Sequence, residues 1–353
     1  MKNFCLDTDI REIAEGLGAP AHDLAGKTVL LTGARGFLGR YFTAVFDCLN
    51  RTVLKKPVTV IALDNLITAG PEGRQIPDIP NVKFIRHDVI QPFSWDGPID
   101  YVVHAAGIAS PYYYRVHPLE TVEVAVSGTR HMLEMARSKG ARFTFFSSSE
   151  IYGDPDPAHV PTPESYRGNV ACQGPRACYD ESKRVGETLC YIFHDSHGVA
   201  TTVVRPFNVY GPGMQETDYR VLPNFGNRIK AGLPLNVYGS GNQTRTFCYI
   251  TDAIVGFLLT VLRGAPGNVY NIGNPKPEIA MIGLIGIIEE ILGRKLPKNI
   301  VEYPDSYPAD EPQRRCPDIH KARLQLGYAP KVDLKDGLAR FFGWTDENYE
   351  GTV

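Results

Sequence analysis

The stretch that most limits what this chain can fold into runs from residue 28 to residue 49. Thr28-Val29-Leu30-Leu31 reads as a short buried strand, Thr32-Gly33-Ala34-Arg35-Gly36-Phe37-Leu38-Gly39 as a turn, and the residues to Leu49 as a helix. A strand that turns on glycines into a helix lets backbone approach a dinucleotide pyrophosphate, with helix N–H groups and the positive dipole end facing it. Gly33, Gly36 and Gly39 are spaced G-x-x-G-x-x-G, not G-x-G-x-x-G, and Phe37 and Leu38 open the helix beside them. These five are candidate cofactor contacts.

The following strands repeat the logic. Residues 58–63 form a second strand ending at Asp64-Asn65, where a carboxylate accepts ribose hydroxyls and repels a 2′-phosphate, favouring NAD over NADP; the alternative for Asp64 is a turn cap. Residues 82–85 lead to Asp88-Val89, and Asp88 either holds an adenine amino group or caps a turn. A fourth strand, 99–103, delivers Ala105 and Ala106, small enough for a cofactor to lie against the backbone. Residues 119–138 read as one long helix, and 143–146 as a strand delivering Ser148, Ser149 and Glu150. Alternating strands and helices predict an α/β, Rossmann-type doubly wound parallel sheet with its ligands beyond the carboxyl ends of the strands.

After a Pro- and Gly-rich loop (154–175) that could close over a substrate comes Arg176-Ala177-Cys178-Tyr179-Asp180-Glu181-Ser182-Lys183. Tyr179 and Lys183 are four apart and share one helix face. A free phenol titrates near about 10, so accepting an alcohol proton at neutral pH needs roughly 3 units of help from a neighbouring cation, which Lys183 is placed to give. A strand over 201–208 carries Pro206 and Asn208. Beyond it, short strands such as 235–238, with Val237 and Tyr238, alternate with helices near 252–263 and 278–293. The organisation expected is an N-terminal extension (1–26) with a short helix closed at Gly18, a dinucleotide-binding domain (27–210), and a smaller α/β substrate domain drawn mainly from 211–353, with some interweaving. Arg245 and Arg315 are candidate ligands for a diphosphate, since guanidinium pairs bidentately with phosphate oxygens; Arg314 reads as a surface residue, and Val237, Tyr238 and Gln243 are further candidate substrate contacts.

Composition limits the partners. Net charge is −2 with a pI near 6.5, which argues against nucleic acid. The seven cysteines include no C-x-x-C pair, so reduced thiols in a cytoplasmic protein are expected, not a disulfide framework or a zinc site. The apolar run 279–288 ends at two glutamates, too short to span a bilayer. No metal-ligand cluster is evident.

Glycine turn, acidic strand end, serine-rich strand end and Tyr-x-x-x-Lys, in this order, resemble the extended short-chain dehydrogenase/reductase (NAD-dependent epimerase/dehydratase) superfamily acting on nucleotide sugars. Ser148-Ser149-Glu150-Ile151-Tyr152-Gly153-Asp154-Pro155, Gly174-Pro175-Arg176-Ala177-Cys178-Tyr179, Val237-Tyr238-Gly239-Ser240-Gly241-Asn242-Gln243-Thr244-Arg245 and Pro317-Asp318-Ile319 are most similar to the UDP-glucuronate decarboxylase (UDP-xylose synthase) family. The resemblance implies an NAD-dependent lyase that oxidises the sugar at C4, loses CO2 from the resulting β-keto acid and re-reduces the ketone. It implies Tyr179 beside Lys183 as base, Ser148 or Ser149 on the C4 oxygen, Glu150 at the carboxylate end, Asn208 toward the diphosphate, Arg245 toward the diphosphate or the carboxylate region, and Tyr114 toward the sugar. It further implies a homodimer through a four-helix bundle of helices 119–138 and 179–197. Ser149 stands where many 4,6-dehydratases carry an Asp that protonates the leaving hydroxyl. Gly213 stands where the decarboxylases usually have Arg, Ala125 where the superfamily usually has Asn, and 107–115 departs from a proline-rich version. The Gly213 departure reads as a basic group lost from the sugar pocket. A 4,6-dehydratase, a C4 epimerase and a catalytically idle nucleotide-sugar sensor are the alternatives.

Overall fold

The computed structural model describes residues 4–302 and 312–352. Seven strands build the central sheet: β1 (Thr28–Thr32), β2 (Thr59–Asp64), β3 (Val82–Arg86), β4 (Tyr101–His104), β5 (Arg142–Phe146), β6 (Thr201–Pro206) and β7 (Asn268–Ile272). They run parallel in the order β7-β6-β5-β4-β1-β2-β3. The order reverses between β1 and β4, the place where an open α/β sheet leaves a crevice at its carboxyl edge. Val29, Leu30 and Leu31 of β1 are fully buried, as are Val102 and Val103 of β4. Continuous apolar runs are what a strand covered on both faces requires.

Strand β7 lies far along the chain, within the segment that supplies most of the second lobe, yet it pairs with β6 in the main sheet. The helix Ile250–Arg263 just before it packs on the same sheet, and twelve of its residues are buried. Against that helix lies the N-terminal helix Asp7–Leu17, which presents Ile10, Ile13, Ala14 and Leu17 at the expected spacing. Its Asp9 is fully buried, accepting hydrogen bonds from Tyr249 Oη at 2.7 Å and Arg340 Nη1 at 3.2 Å.

Three small sheets lie apart from the central one. Leu235–Tyr238 pairs in parallel with Lys298–Val301, and Val209–Tyr210 with Cys248–Tyr249. Thr244–Arg245 lies between Ile279–Ala280 and Arg314–Arg315, in a register that sets Arg245 beside Arg315.

Two expectations differ from the structure. The helix foreseen over 119–138 is Pro118–Glu123, one π turn Val124–Gly128, and Thr129–Lys139. At the π turn Gly128 closes on Val89, whose Cγ2 would lie 2.9 Å from an added Cβ, and Ala125 is buried there. Apolar periodicity does not register one extra residue in a turn, so the sequence reads as an uninterrupted helix. The loop 154–175 is tied down away from the crevice: Asn271 Nδ2 donates to Thr162 O, Gln313 N to Asp154 Oδ1, and Thr162 bridges to Pro317. It lines neither of the two cavities described next.

Candidate active site

Two adjoining cavities occupy the carboxyl edge of the sheet. The first, of about 210 Å³, is floored by the glycine turn and lined by Gly33, Gly36, Phe37, Leu38 and Gly39. Its outer end is made by Asp64, Asn65, Asp88 and Val89, and its inner wall by Ala105 and Ala106. The turn admits no larger residue at Gly39, where a Cβ would stand 2.1 Å from Gly33 O and 2.6 Å from Ala34 Cα. Asp64 both faces the cavity and caps: its Oδ2 accepts from Arg35 N at 2.8 Å and its Oδ1 from Leu66 N at 2.7 Å. Asp88 likewise accepts from Ile90 N at 3.2 Å through Oδ1 and from Asn65 Nδ2 at 3.0 Å through Oδ2. The alternatives of ligand contact and turn cap therefore do not compete. An open glycine turn at a helix start, small residues along one wall and an acid at the β2 end fit a dinucleotide such as NAD. Below this wall His104 is fully buried, 2.8 Å from Thr32 Oγ1 and 3.1 Å from Thr129 Oγ1. Burial pulls its pKa down to about 3, a neutral structural imidazole.

The second cavity, about 300 Å³, holds Ser148, Ser149, Glu150, Tyr179, Lys183 and Pro206 on its sheet side. Tyr179 and Lys183 share the inner face of helix Ala177–His197, as their spacing requires. Tyr179 is hydrogen-bonded to Ser148, and Tyr114 stacks on its ring with centroids 5.4 Å apart at 14°. Burial pushes the Tyr179 phenol up to about 12, opposed first by the Ser148 hydrogen bond. Lys183 is hydrogen-bonded to the backbone at the end of β5. Its Nζ donates to Phe146 O at 2.7 Å and stands 5.7 Å from the Tyr179 ring centroid, and burial pulls the ammonium down to about 8. Of the two serines weighed, Ser148 meets Tyr179; Ser149 is buried in the cavity wall.

The far end is a charge cluster. Glu150 is bound by Arg315 through both oxygens, Nη1 to Oε1 at 2.6 Å and Nη2 to Oε2 at 2.7 Å, and is also hydrogen-bonded by Arg176. Burial works to raise the Glu150 carboxyl, but Arg315, Arg176 and Arg245 outweigh it and hold it below its ordinary value. Arg176 also reaches Asp180, Nε to Oδ2 at 3.4 Å, and burial together with the Glu150 charge pushes that carboxyl up to about 7. Arg245, 6% exposed, donates from Nη1 to Thr244 O at 2.8 Å and lines the cavity with Val237, Tyr238 and Gln243. Asn208 lies on the same wall with its backbone at φ 41°, a conformation asparagine tolerates, and donates to Thr246 O at 2.8 Å. Arg314 points outward to Glu278, 42% exposed.

Two residues in this site were given no role by sequence reasoning. Arg176 precedes Tyr179 and Asp180 by three and four positions, a spacing that signals a shared helix face. Arg220 bears no sequence signal at all; it lines both cavities, gripped by Asp218. The expectation attached to Gly213 is corrected. Gly213 lies along the first cavity, not the second, with φ 92° and Phe4 so close that a Cβ would meet its ring at 2.3 Å. The sugar-side cavity retains Arg176, Arg220, Arg245 and Arg315.

A parallel sheet with this crevice, a glycine-floored dinucleotide cavity and a buried Ser–Tyr–Lys group define a short-chain dehydrogenase/reductase of the extended type. Residues 29–273 match the NAD dependent epimerase/dehydratase family. The chain belongs to that family. It is 38% identical over 311 residues to UDP-glucuronic acid decarboxylase 3 of Arabidopsis thaliana, covering 88% of this chain and 86% of the relative. It is 38% identical over 313 residues to UDP-glucuronic acid decarboxylase 1 of Xenopus tropicalis, covering 88% and 70%. Among solved structures, DesIV, a dTDP-glucose 4,6-dehydratase from Streptomyces venezuelae with NAD bound, superposes with a TM-score of 0.77 at 26% identity over 91% of this chain and 97% of that one. The UDP-glucuronic acid 4-epimerase of Bacillus cereus, in complex with UDP-glucuronic acid and NAD, superposes with a TM-score of 0.73 at 26% identity, covering 91% and 100%. No helix among the described residues is long and apolar enough to cross a membrane.

Proposed function

We propose that this protein is an NAD-dependent UDP-glucuronate decarboxylase that forms UDP-xylose. One observation carries the reading: a single cavity joins the Ser148–Tyr179–Lys183 group to an end where three arginines surround one carboxylate. That excess of positive charge suits the substrate's own anionic groups. The relatives named UDP-glucuronic acid decarboxylase, at 38% identity over most of the chain, support the same reaction.

In this reading Gly33, Gly36, Phe37, Leu38 and Gly39 hold the cofactor pyrophosphate, Asp64, Asn65, Asp88 and Val89 the adenosine, and Ala105, Ala106 and Pro206 the nicotinamide side. Bound NAD supplies removal and return of the C4 hydride. Tyr179 takes the C4 hydroxyl proton, and Ser148 and Lys183 favour its charged form. The C4 ketone makes the C5 carboxylate a β-keto acid. As CO2 leaves, its bonding electrons pass to the C4 oxygen, which Tyr179 and Ser148 hold. Glu150, kept ionised by Arg315 and Arg176, lies at the carboxylate end, where a proton from solvent water is added to C5 while Tyr179 keeps its own for the C4 oxygen. Tyr114 orients the sugar against Tyr179, while Asn208, Val237, Tyr238, Gln243, Arg245 and Arg315 take the nucleotide and diphosphate.

Mass spectrometry of product after incubation with NAD⁺ and UDP-glucuronate tests the reaction: loss of the mass of CO2 supports it, and unchanged glucuronate refutes it. Ser149 offers no carboxylic acid to expel water, which weighs against the 4,6-dehydratase. A C4 epimerase is the second reading, favoured by the 4-epimerase structure that binds UDP-glucuronic acid; it yields a product of unchanged mass and inverted C4. A sensor keeps its output when Tyr179 becomes Phe, whereas an enzyme loses turnover.

Leu119, Val122, Val185, Tyr191 and Ile192 are exposed on neighbouring helices, the pattern of a self-association face, and support a homodimer through a four-helix bundle. Light scattering giving a monomer mass at micromolar concentration refutes it. The seven cysteines are all free thiols, in keeping with a reducing compartment such as the cytoplasm.

A further inference from the structure

Tyr179 is surrounded by charges that work against each other. On its own helix Asp180 opposes a negative phenol oxygen, and Lys183 is turned toward Phe146 O. From the β5 end, Ser148 gives a hydrogen bond while Glu150 opposes the charge. Tyr114 covers one ring face with an apolar stack. The remaining wall belongs to the second lobe, which brings Arg220, Arg245 and Arg315 to the same cavity, and of these Arg220 favours a negative Tyr179 oxygen.

Arg220 is the one charged side chain, among the described residues, that lines both cavities. It stands at the N-cap of helix Val221–Lys230, so its direction is set by a rigid element. Asp218 grips the guanidinium, with Nε 3.0 Å from each carboxylate oxygen and Nη2 2.5 Å from Oδ2, and Oδ1 also accepts Arg220 N at 3.0 Å. Tyr219, between them, stacks on Tyr112 across the cavity mouth with centroids 5.4 Å apart at 7°. Gln215, at the foot of the same segment, donates to Thr68 O at 2.9 Å. The segment leading into Arg220 is thus fastened to the dinucleotide-binding lobe at two points, Gln215 and Tyr219.

The geometry points to Arg220 as a positioning residue that favours the Tyr179 phenolate from the opposite lobe, with Asp218 and the Tyr112–Tyr219 stack fixing its guanidinium in place. Lys183 acts through the helix that carries the base; Arg220 acts across the crevice. The strength of the base then depends on how the two lobes meet. This inference rests on Tyr179 being the proton acceptor, whichever sugar is bound.

The test follows Tyr179 directly. Ultraviolet difference titration of the NAD-loaded protein, with the Y179F spectrum subtracted to remove the other tyrosines, gives the midpoint of this one phenol. The acid limb of kcat/KM on UDP-glucuronate is measured in parallel. R220Q and the uncharged, similarly shaped R220M should raise both midpoints together by roughly one pH unit, the effect of removing a nearby cation. R220K, which keeps the charge, should stay within a few tenths of a unit of wild type. Unmoved midpoints in R220Q and R220M overturn the proposal, as does a rise in KM alone, which makes Arg220 only a substrate ligand. A Y179F protein that retains turnover overturns the underlying assignment of the base, a failure distinct from either.

Discussion

Replacing Lys183 with Met separates what the site needs from what the fold prefers. Lys183 is 5% exposed, and burial lowers its pKa from 10.5 to about 8. Folding therefore disfavours its charged form by about 3 kcal/mol, at 1.36 kcal/mol per pH unit. The sign is that of a depressed lysine: the cost is fully present below pH 8 and is relieved as pH rises from 8 to 10.5, so wild-type stability climbs across that window. Methionine removes the cost but leaves Phe146 O without its donor, a loss of about 1–2 kcal/mol. The net expectation at pH 7 is a gain of about 1–2 kcal/mol, or roughly 1–3 °C in Tm for a chain of this length. Turnover should fall by roughly 100-fold or more, because the base loses its cation. Calorimetry of the nucleotide-free protein from pH 7 to 10.5, alongside product formation, measures both. A K183M protein that is less stable at pH 7 and keeps the wild-type rise above pH 8 refutes the reasoning.

Gly39→Ala should abolish nucleotide binding in an NAD titration, because the added Cβ meets backbone at 2.1 Å and no side chain can move aside. Glu150→Gln leaves Arg315 and Arg176 facing an amide that donates as well as accepts; turnover should fall by roughly 100-fold or more while NAD affinity, measured by calorimetry, stays within a factor of about two. Asp9, whose carboxyl burial raises from 3.8 to about 6, costs the fold stability that is lost as pH rises from 4 to 6; Asp9→Asn should flatten that part of the profile in denaturant titrations across pH 4–7.

Much of the site is legible in the sequence because local spacing dictates it. Gly33, Gly36 and Gly39 must lie at a strand-to-helix turn, and Tyr179 and Lys183 must share a face. Asp64 and Asp88 are legible as strand-end acids, though not in their double use as caps and lining. What escapes is whatever joins distant segments. Arg315 reaches Glu150 across 165 residues, and nothing in either neighbourhood announces the partner. Arg220 lies in a stretch with no periodic pattern, so its place in the cavity that Tyr179 lines depends on how the later part of the chain folds back. The strand 268–272 is not singled out in the sequence reading, and hydrophobic pattern does not say which sheet such a segment joins.

That strand bears on how the protein is made. A nascent chain that has released only its first 210 residues holds β6 with one edge bare, and β7 to pair with it has not yet been synthesised. The helix Ile250–Arg263 is missing as well, so Asp7–Leu17, which packs on both that helix and Phe37–Thr52, keeps only one of its two helical partners. Folding of this protein is therefore completed late in synthesis, and a chain truncated near residue 210 exposes a strand edge together with the part of Asp7–Leu17 that Ile250–Arg263 covers, a combination that invites aggregation.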